Sequence, residues 1–141
     1  MRNGMIEYPS DGRIWWLNGS RRWYLNDQRH RTDGPAVERA DGSREWYLNG
    51  KRHRTDGPAV ERANGTRYWY VNGKQHRTDG PAVEMAWGRW WLLNGKQHRT
   101  DGPAVEIGDG TRYWFLNDRE YNEDEYWAEV ALQSWGLSTL A

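Results

Sequence analysis

The sequence predicts an all-β repeat protein, an elongated antiparallel sheet of stacked 23-residue β-hairpin units closed by a short C-terminal helix. Three observations carry this. The nonapeptide HRTDGPAVE stands at residues 30–38 and returns unchanged at 53–61, 76–84 and 98–106, giving a period of 23 residues with one unit of 22, and a fixed period in this range decides architecture before any single element does. Turn dipeptides (Asp41-Gly42, Asn49-Gly50, Asn64-Gly65, Asn72-Gly73) recur at fixed offsets inside the units; they mark hairpins because turns between twisted antiparallel strands need positive φ. The 141 residues include 11 Trp and 8 Tyr against one Phe and no Cys. The apolar area thus sits in large rings with polar handles, which suits a thin ring-covered layer better than a deep aliphatic core.

In chain order, residues 1–121 form the repeat array. A degenerate first unit occupies about 1–29, where NGMIEYPSDGRIWWLNG lacks the GPA, and full units start at 30, 53, 76 and 98. A Trp three residues before an Asn recurs at Trp15, Trp23, Trp46, Trp69, Trp91 and Trp114, so six aromatic strands are expected. Within a unit PAVER and REWYL read as the main strands, and KRHR as a short returning segment. Charge selects the register of the first hairpin. A two-residue loop sets Arg39 opposite Arg44 and Glu38 opposite Glu45, whereas a three-residue loop Ala40-Asp41-Gly42 sets Glu38 opposite Arg44. Each opposite pair is favoured by a few tenths to about 1 kcal/mol. The longer loop also pairs Glu61 with Arg67 and Glu106 with Arg112, and a loop one residue tighter at Ala86-Trp87 keeps Glu84 opposite Arg89.

Side chains alternate along a strand, so this register puts Trp46 and Leu48 on one face with Ala36 and Glu38. The other face carries the positions at which the units differ: Glu45, Tyr47, Tyr68, Tyr70, Trp90, Leu92, Tyr113 and Phe115. An exposed aromatic patch marks a contact surface. The expected partner-binding residues are therefore Tyr47, Tyr68, Tyr70, Trp90, Leu92, Tyr113 and Phe115, joined by the N-terminal Arg13, Arg21 and Arg22.

After Tyr121, which stands where the next His would fall, Asn122 followed by Glu125 reads as a capping box, and Glu123, Asp124 and Glu125 suit a helix N-terminus. Residues 122–141 are assigned to a capping helix and tail, with the helix over 122–135, closing near Gly136 and packing through Trp127, Val130, Ala131 and Trp135.

Twenty basic and twenty acidic residues cancel, which argues against general nucleic-acid binding. They are unevenly placed. Five Arg and Asp27 lie between Arg13 and Arg31, and from Glu106 onward eight carboxylates face Arg112 and Arg119. No stretch reaches 18 apolar residues and no basic-then-apolar leader opens the chain, so a soluble cytoplasmic protein is expected, with neither membrane contact nor disulfides. His-Arg-Thr-Asp contains an acid-base pair and a hydroxyl, but catalysis needs one water-excluding pocket, and four equal copies supply four shallow sites. Structural roles are therefore expected for His30, His53, His76 and His98, for Asp33, Asp56, Asp79 and Asp101, and for Trp46, Trp69, Trp91 and Trp114. Neither a metal site nor a cofactor is expected, and the protein is not read as an enzyme.

NGKRH at 49–53, NGKQH at 72–76 and 94–98, the aromatic shortly before the Asn, and DG after the following strand resemble MORN repeats, in the divergent HRxDGPA form of phages, bacteria and large viruses. Arg54 replaces the Gly that usually follows the His position, and REWY or RYWY lacks the usual inner Gly. The resemblance spans about residues 5–121. It implies a row of hairpins forming one twisted sheet with a role in protein scaffolding or dimerisation, and no catalytic residues. The expected function is protein binding through the variable aromatic face, in the manner of a phage-encoded antagonist of a host defence protein. The alternative is sequestration of a small anionic ligand such as a nucleotide, with rings sandwiching a base and Arg holding phosphate. A homodimer through the N-terminal edge strand is a further expectation.

Overall fold

The computed structural model describes residues 4–8 and 12–137. Residues 1–3 and 9–11 of the degenerate unit and 138–141 of the tail lie outside it. The expected all-β hairpin array with one C-terminal helix is what forms. A 13-stranded antiparallel sheet begins with Gly4–Tyr8, Gly12–Leu17 and Ser20–Leu25 and then takes two strands from each full unit. These are Val37–Glu38 with Arg44–Glu45, Val60–Glu61 with Arg67–Tyr68, Val83–Met85 with Gly88–Trp90, and Val105–Ile107 with Arg112–Leu116. Arg119–Tyr121 ends the path, and Gln28–Arg29 pairs with Ser20–Leu25 to one side.

The register is the one that charge pairing selects. Glu38 stands opposite Arg44, Glu61 opposite Arg67, Glu106 opposite Arg112, and Glu84 opposite Arg89 across the tighter Ala86-Trp87 loop. In the longer loop Gly42 has φ +93, its N–H donates to Arg39 O at 3.0 Å, and Asp41 Oδ1 accepts from Ser43 N–H at 2.8 Å.

The run REWYL is not one strand. It breaks at Trp46: Arg44–Glu45 belongs to the main sheet, and Tyr47–Leu48 forms a separate small hairpin with Lys51–Arg52. Tyr70–Val71 with Lys74–Gln75 and Leu92–Leu93 with Lys96–Gln97 repeat this second row. The break follows from backbone bonding, because Trp46 N–H donates to Ala59 O of the next unit at 2.7 Å while Trp46 O accepts from His53 N–H at 3.1 Å. One residue thus serves both rows. Second-row hairpins join to one another through Arg31 N–H to Tyr47 O (3.1 Å) and Gly50 N–H to Arg29 O (2.9 Å), and the next pair through Arg54 to Tyr70 and Gly73 to Arg52. Their Asn-Gly turns have both residues at positive φ, as at Asn72 (+50) and Gly73 (+79).

The core lies between the rows. Ala36, Val37, Ala59, Val60, Ala82 and Ala104 are buried, and Tyr47 and Leu92 pack on Val37 and Val83 respectively. Each fully buried Val contributes about 1.5–3 kcal/mol by leaving water. The face on which the units differ is therefore largely an inner one, a correction to the expectation that it is open.

The helix runs Glu123–Ser134 with Asn122 as N-cap, its Oδ1 accepting from Glu125 N–H at 2.9 Å. Gly136 at φ +72 and a Leu137 N–H to Leu132 O bond of 2.7 Å close it. Its buried residues are Tyr126 and Glu129; of the expected Trp127, Val130, Ala131 and Trp135, Val130 is half-buried against the Trp114 cluster, Trp127 is exposed but reaches the Trp114 ring at 5.7 Å, and Ala131 and Trp135 are exposed. Apolarity alone passes over Tyr126, which can be buried because its hydroxyl is hydrogen-bonded on the array.

Asn72→Ala is expected to cost about 1 kcal/mol, the penalty for a left-handed conformation at an ordinary L-residue, and Asn72→Gly to be nearly neutral. Urea unfolding midpoints of the two variants check this.

Candidate functional site

Each HRTDG copy is organised by its Arg. The Arg54 Nε donates to Asp56 Oδ1 at 2.9 Å, and its Nη1 donates to Pro58 O at 3.0 Å and Glu61 Oε1 at 3.3 Å. Its guanidinium also lies 3.9 Å from the centre of the Trp46 ring. Arg31, Arg77 and Arg99 repeat the arrangement over Trp23, Trp69 and Trp91 at 3.8–3.9 Å. The fork geometry suits this simultaneous pairing and stacking. The second oxygen of the same Glu accepts from an Arg of the preceding unit: Arg21 with Glu38, Arg44 with Glu61, Arg67 with Glu84, Arg89 with Glu106. The register puts Glu38 opposite Arg44, yet the ion pairs run to the other neighbour and so bind unit to unit.

The Arg hydrogen bond and charge hold the Asp33, Asp56 and Asp79 carboxyls below their ordinary values. The His side chains also act structurally. Nδ1 of His30, His53, His76 and His98 accepts from the backbone N–H of Asn49, Asn72, Asn94 and Asn117 at 2.9–3.0 Å. An Nδ1 that accepts leaves the ring N–H on Nε2. Burial lowers the His98 pKa.

Between successive HRTDG loops the surface opens into clefts. One, of about 550 Å³, lies between Arg31–Gly34 and Arg54–Asp56 with Trp46 and Leu48 on its floor. The next, of about 450 Å³, lies between Arg54–Gly57 and Arg77–Asp79 over Trp69 and Val71. Rings and guanidinium groups meet there, but each Arg is already paired with an Asp and a Glu, so the lining offers an anion no uncompensated positive charge.

Of the expected partner-binding residues, Tyr47 and Leu92 are buried, and Tyr68, Tyr70, Trp90 and Phe115 are half-buried, with Tyr68 and Trp90 packed on the Ala82 cluster; Tyr113 is exposed. Their variation follows their neighbours. Arg29 lies against the Tyr47 ring and Arg52 against the Tyr70 ring, both at 5.4 Å. Where the return segment carries Gln75 or Gln97 instead, the next unit has Leu92 or Phe115 at that position. Glu45 is buried with Arg39 (2.8 Å) and Arg52 (3.1 Å) on its oxygens; burial pushes its carboxyl up, and the two Arg outweigh this and leave it below its ordinary value. The N-terminal Arg are also engaged: Arg13 pairs with Asp27 at 2.9 Å, and Arg21 pairs with Glu38 and sits 4.9 Å from the Trp16 ring. Arg22 lies on strand Ser20–Leu25 opposite Trp15 and Val37.

Tyr126, which the sequence reading left out, crosses the last unit at the position of a cleft. Its ring lies 4.9 Å from that of Trp114, and its hydroxyl donates to Arg99 O and accepts from Gly102 N–H at 3.2 Å. Apolar spacing does not single it out, because its neighbours at i+3 and i+4 are Glu129 and Val130.

No protein-family model matches the chain, and no curated protein compared with it does either.

Arg77→Ala is expected to lower stability by about 2–4 kcal/mol, since it strips a stacked ring and leaves Glu84 with one partner fewer. Arg77→Lys keeps the charge but loses the fork and the stack and is expected to recover less than half of that loss; denaturant titration of both variants is the check. For His98 the folded pKa lies below the unfolded value of about 6.5. Its contribution to stability is thus complete above that value and is lost as pH falls through it toward the folded pKa. Thermal unfolding is expected to shift down between pH 7 and pH 5, and less so in His98→Gln, which keeps an acceptor that does not titrate.

Proposed function

We propose that the chain is a non-catalytic protein-binding module of MORN-like build, which presents to a partner its row of inter-loop clefts together with exposed rings. One observation carries the reading. The side chains that could perform chemistry, the repeated His, Arg and Asp, are consumed in holding units together, while the clefts and the exposed Trp15, Trp87 and Tyr113 are not needed for the core. Exposed rings and preformed concave surfaces are the usual anchors of recognition. The resemblance to repeat families of phages and large viruses makes antagonism of a host defence protein the biological setting we favour for such a binder. Sequestration of a nucleotide is supported less, because every cleft Arg is already neutralised by its own loop.

The test is affinity capture from the native host's lysate with the full chain, compared with a Trp87→Glu/Tyr113→Glu variant of unchanged thermal stability. A single stoichiometric protein that the variant retains at least tenfold less is the expected outcome. A retained small molecule with no protein would replace this reading with ligand sequestration.

A further inference from the structure

The last unit supplies a template for the others. Tyr126 touches four groups there: the Trp114 ring and Leu116, which form one apolar cluster with it, and the Arg99 carbonyl and Gly102 N–H, which pair with its hydroxyl. The equivalents of all four line both open clefts: Trp46, Leu48, Arg31 and Gly34 in one, Trp69, Val71, Arg54 and Gly57 in the other. The helix that carries Tyr126 follows Tyr121, at the position where another unit would place its His and the next loop. Elsewhere the next unit's Arg covers the Trp at 3.9 Å and a cleft stays open beside it; in the last unit Asn122 stands where that Arg would fall, and Tyr126 and Trp127 cover Trp114 instead.

Burial records the difference. Gly102 and Trp114 are buried, whereas Gly34, Gly57 and Gly80 and Trp46, Trp69 and Trp91 are half-buried. Among the described residues, no hydrogen bond is made by the N–H of Gly34, Gly57 or Gly80 or by the carbonyl of Arg31, Arg54 or Arg77. The donor and acceptor that Tyr126 satisfies in the last unit are thus left to solvent in the earlier ones, at the same distance along an identical HRTDG backbone. A dry apolar cavity of about 150 Å³ accommodates a benzene ring, so a cleft of about 450 Å³ has room for a phenol.

Resting on the protein-binding reading, we propose that the open clefts are tyrosine-binding sites, which take a tyrosine side chain of a helical segment on the partner protein. The ring lies beside Trp46 or Trp69, whose faces carry Arg54 and Arg77 at 3.9 Å, and the hydroxyl donates to Arg31 O or Arg54 O and accepts from Gly34 or Gly57 N–H. The Arg77–Gly80 loop with Trp91 and Leu93 repeats the same residues and forms the third such site. Selectivity for tyrosine over phenylalanine follows, because an unhydroxylated ring would bury the carbonyl and the amide without partners.

The probe is p-cresol, the tyrosine side chain itself, titrated into the full chain labelled with ¹⁵N. Saturable downfield shifts of the Gly34, Gly57 and Gly80 amides, with Gly102 unmoved and toluene at least fivefold weaker, are the expected result. In Tyr126→Ala, p-cresol should also shift Gly102 and raise the unfolding temperature. Equal shifts with toluene would overturn the hydroxyl seat. Rescue of Tyr126→Ala with no response at Gly57 or Gly80 would overturn the equivalence of the clefts. Glycine shifts that depend on protein concentration without p-cresol, and vanish in Tyr126→Ala, would assign the seat to a second copy and overturn the partner assignment. A protein captured from lysate alongside a null p-cresol titration leaves the binding function standing and removes this inference.

Discussion

The array depends on one guanidinium per unit. The Arg of HRTDG closes its own loop through Asp, reaches forward to Pro and Glu, and lies flat on the Trp of the preceding unit. Its side chain is only about one-fifth exposed, at 19–22% in the four copies. Pairs in that position are screened less than surface ion pairs, and the Glu they share also receives an Arg from the unit before. Stacking, loop closure and unit-to-unit attachment are thus one interaction. A change at the Arg of this loop therefore disturbs all three at once.

Much of this was legible in the letters. The period gave the architecture, the Asn-Gly and Asp-Gly dipeptides gave the turns, and the Glu38–Arg44 charge argument selected the register that forms. What was hidden has a common cause. Alternation along REWYL is a local rule, whereas the break at Trp46 is imposed by two non-local backbone bonds, to Ala59 and from His53. Once the strand breaks, the positions on either side of Trp46 turn into the space between the rows, and Tyr47 and Leu92 become core. Variation among units then reads as mutual adjustment between neighbours, with Arg29 beside Tyr47 and Gln75 in the unit before Leu92. Tyr126 escaped for a different reason: a buried tyrosine is recognisable only when the groups that meet its hydroxyl are known.

Stability in such a chain is distributed. Among the described residues small apolar clusters repeat along the inner space in place of one deep core, and polar side chains tie them together. In stacked repeats each unit is held mainly by its neighbours. Exposed ends are then the weak points, and the C-terminal one is closed by Tyr126 and Asn122 rather than by another hairpin.

The unit of 22 residues is a deletion that the molecule already tolerates. The missing residue falls in the hairpin loop at Ala86-Trp87, while the Arg, His and Trp bonds of that unit match those of its neighbours. Loop length on that rim is therefore uncoupled from the lattice that holds the rows. The tips at 40–42, 63–65, 86–87 and 108–110 form a line of graft points, one per unit, where foreign segments could be displayed at a separation fixed by the repeat.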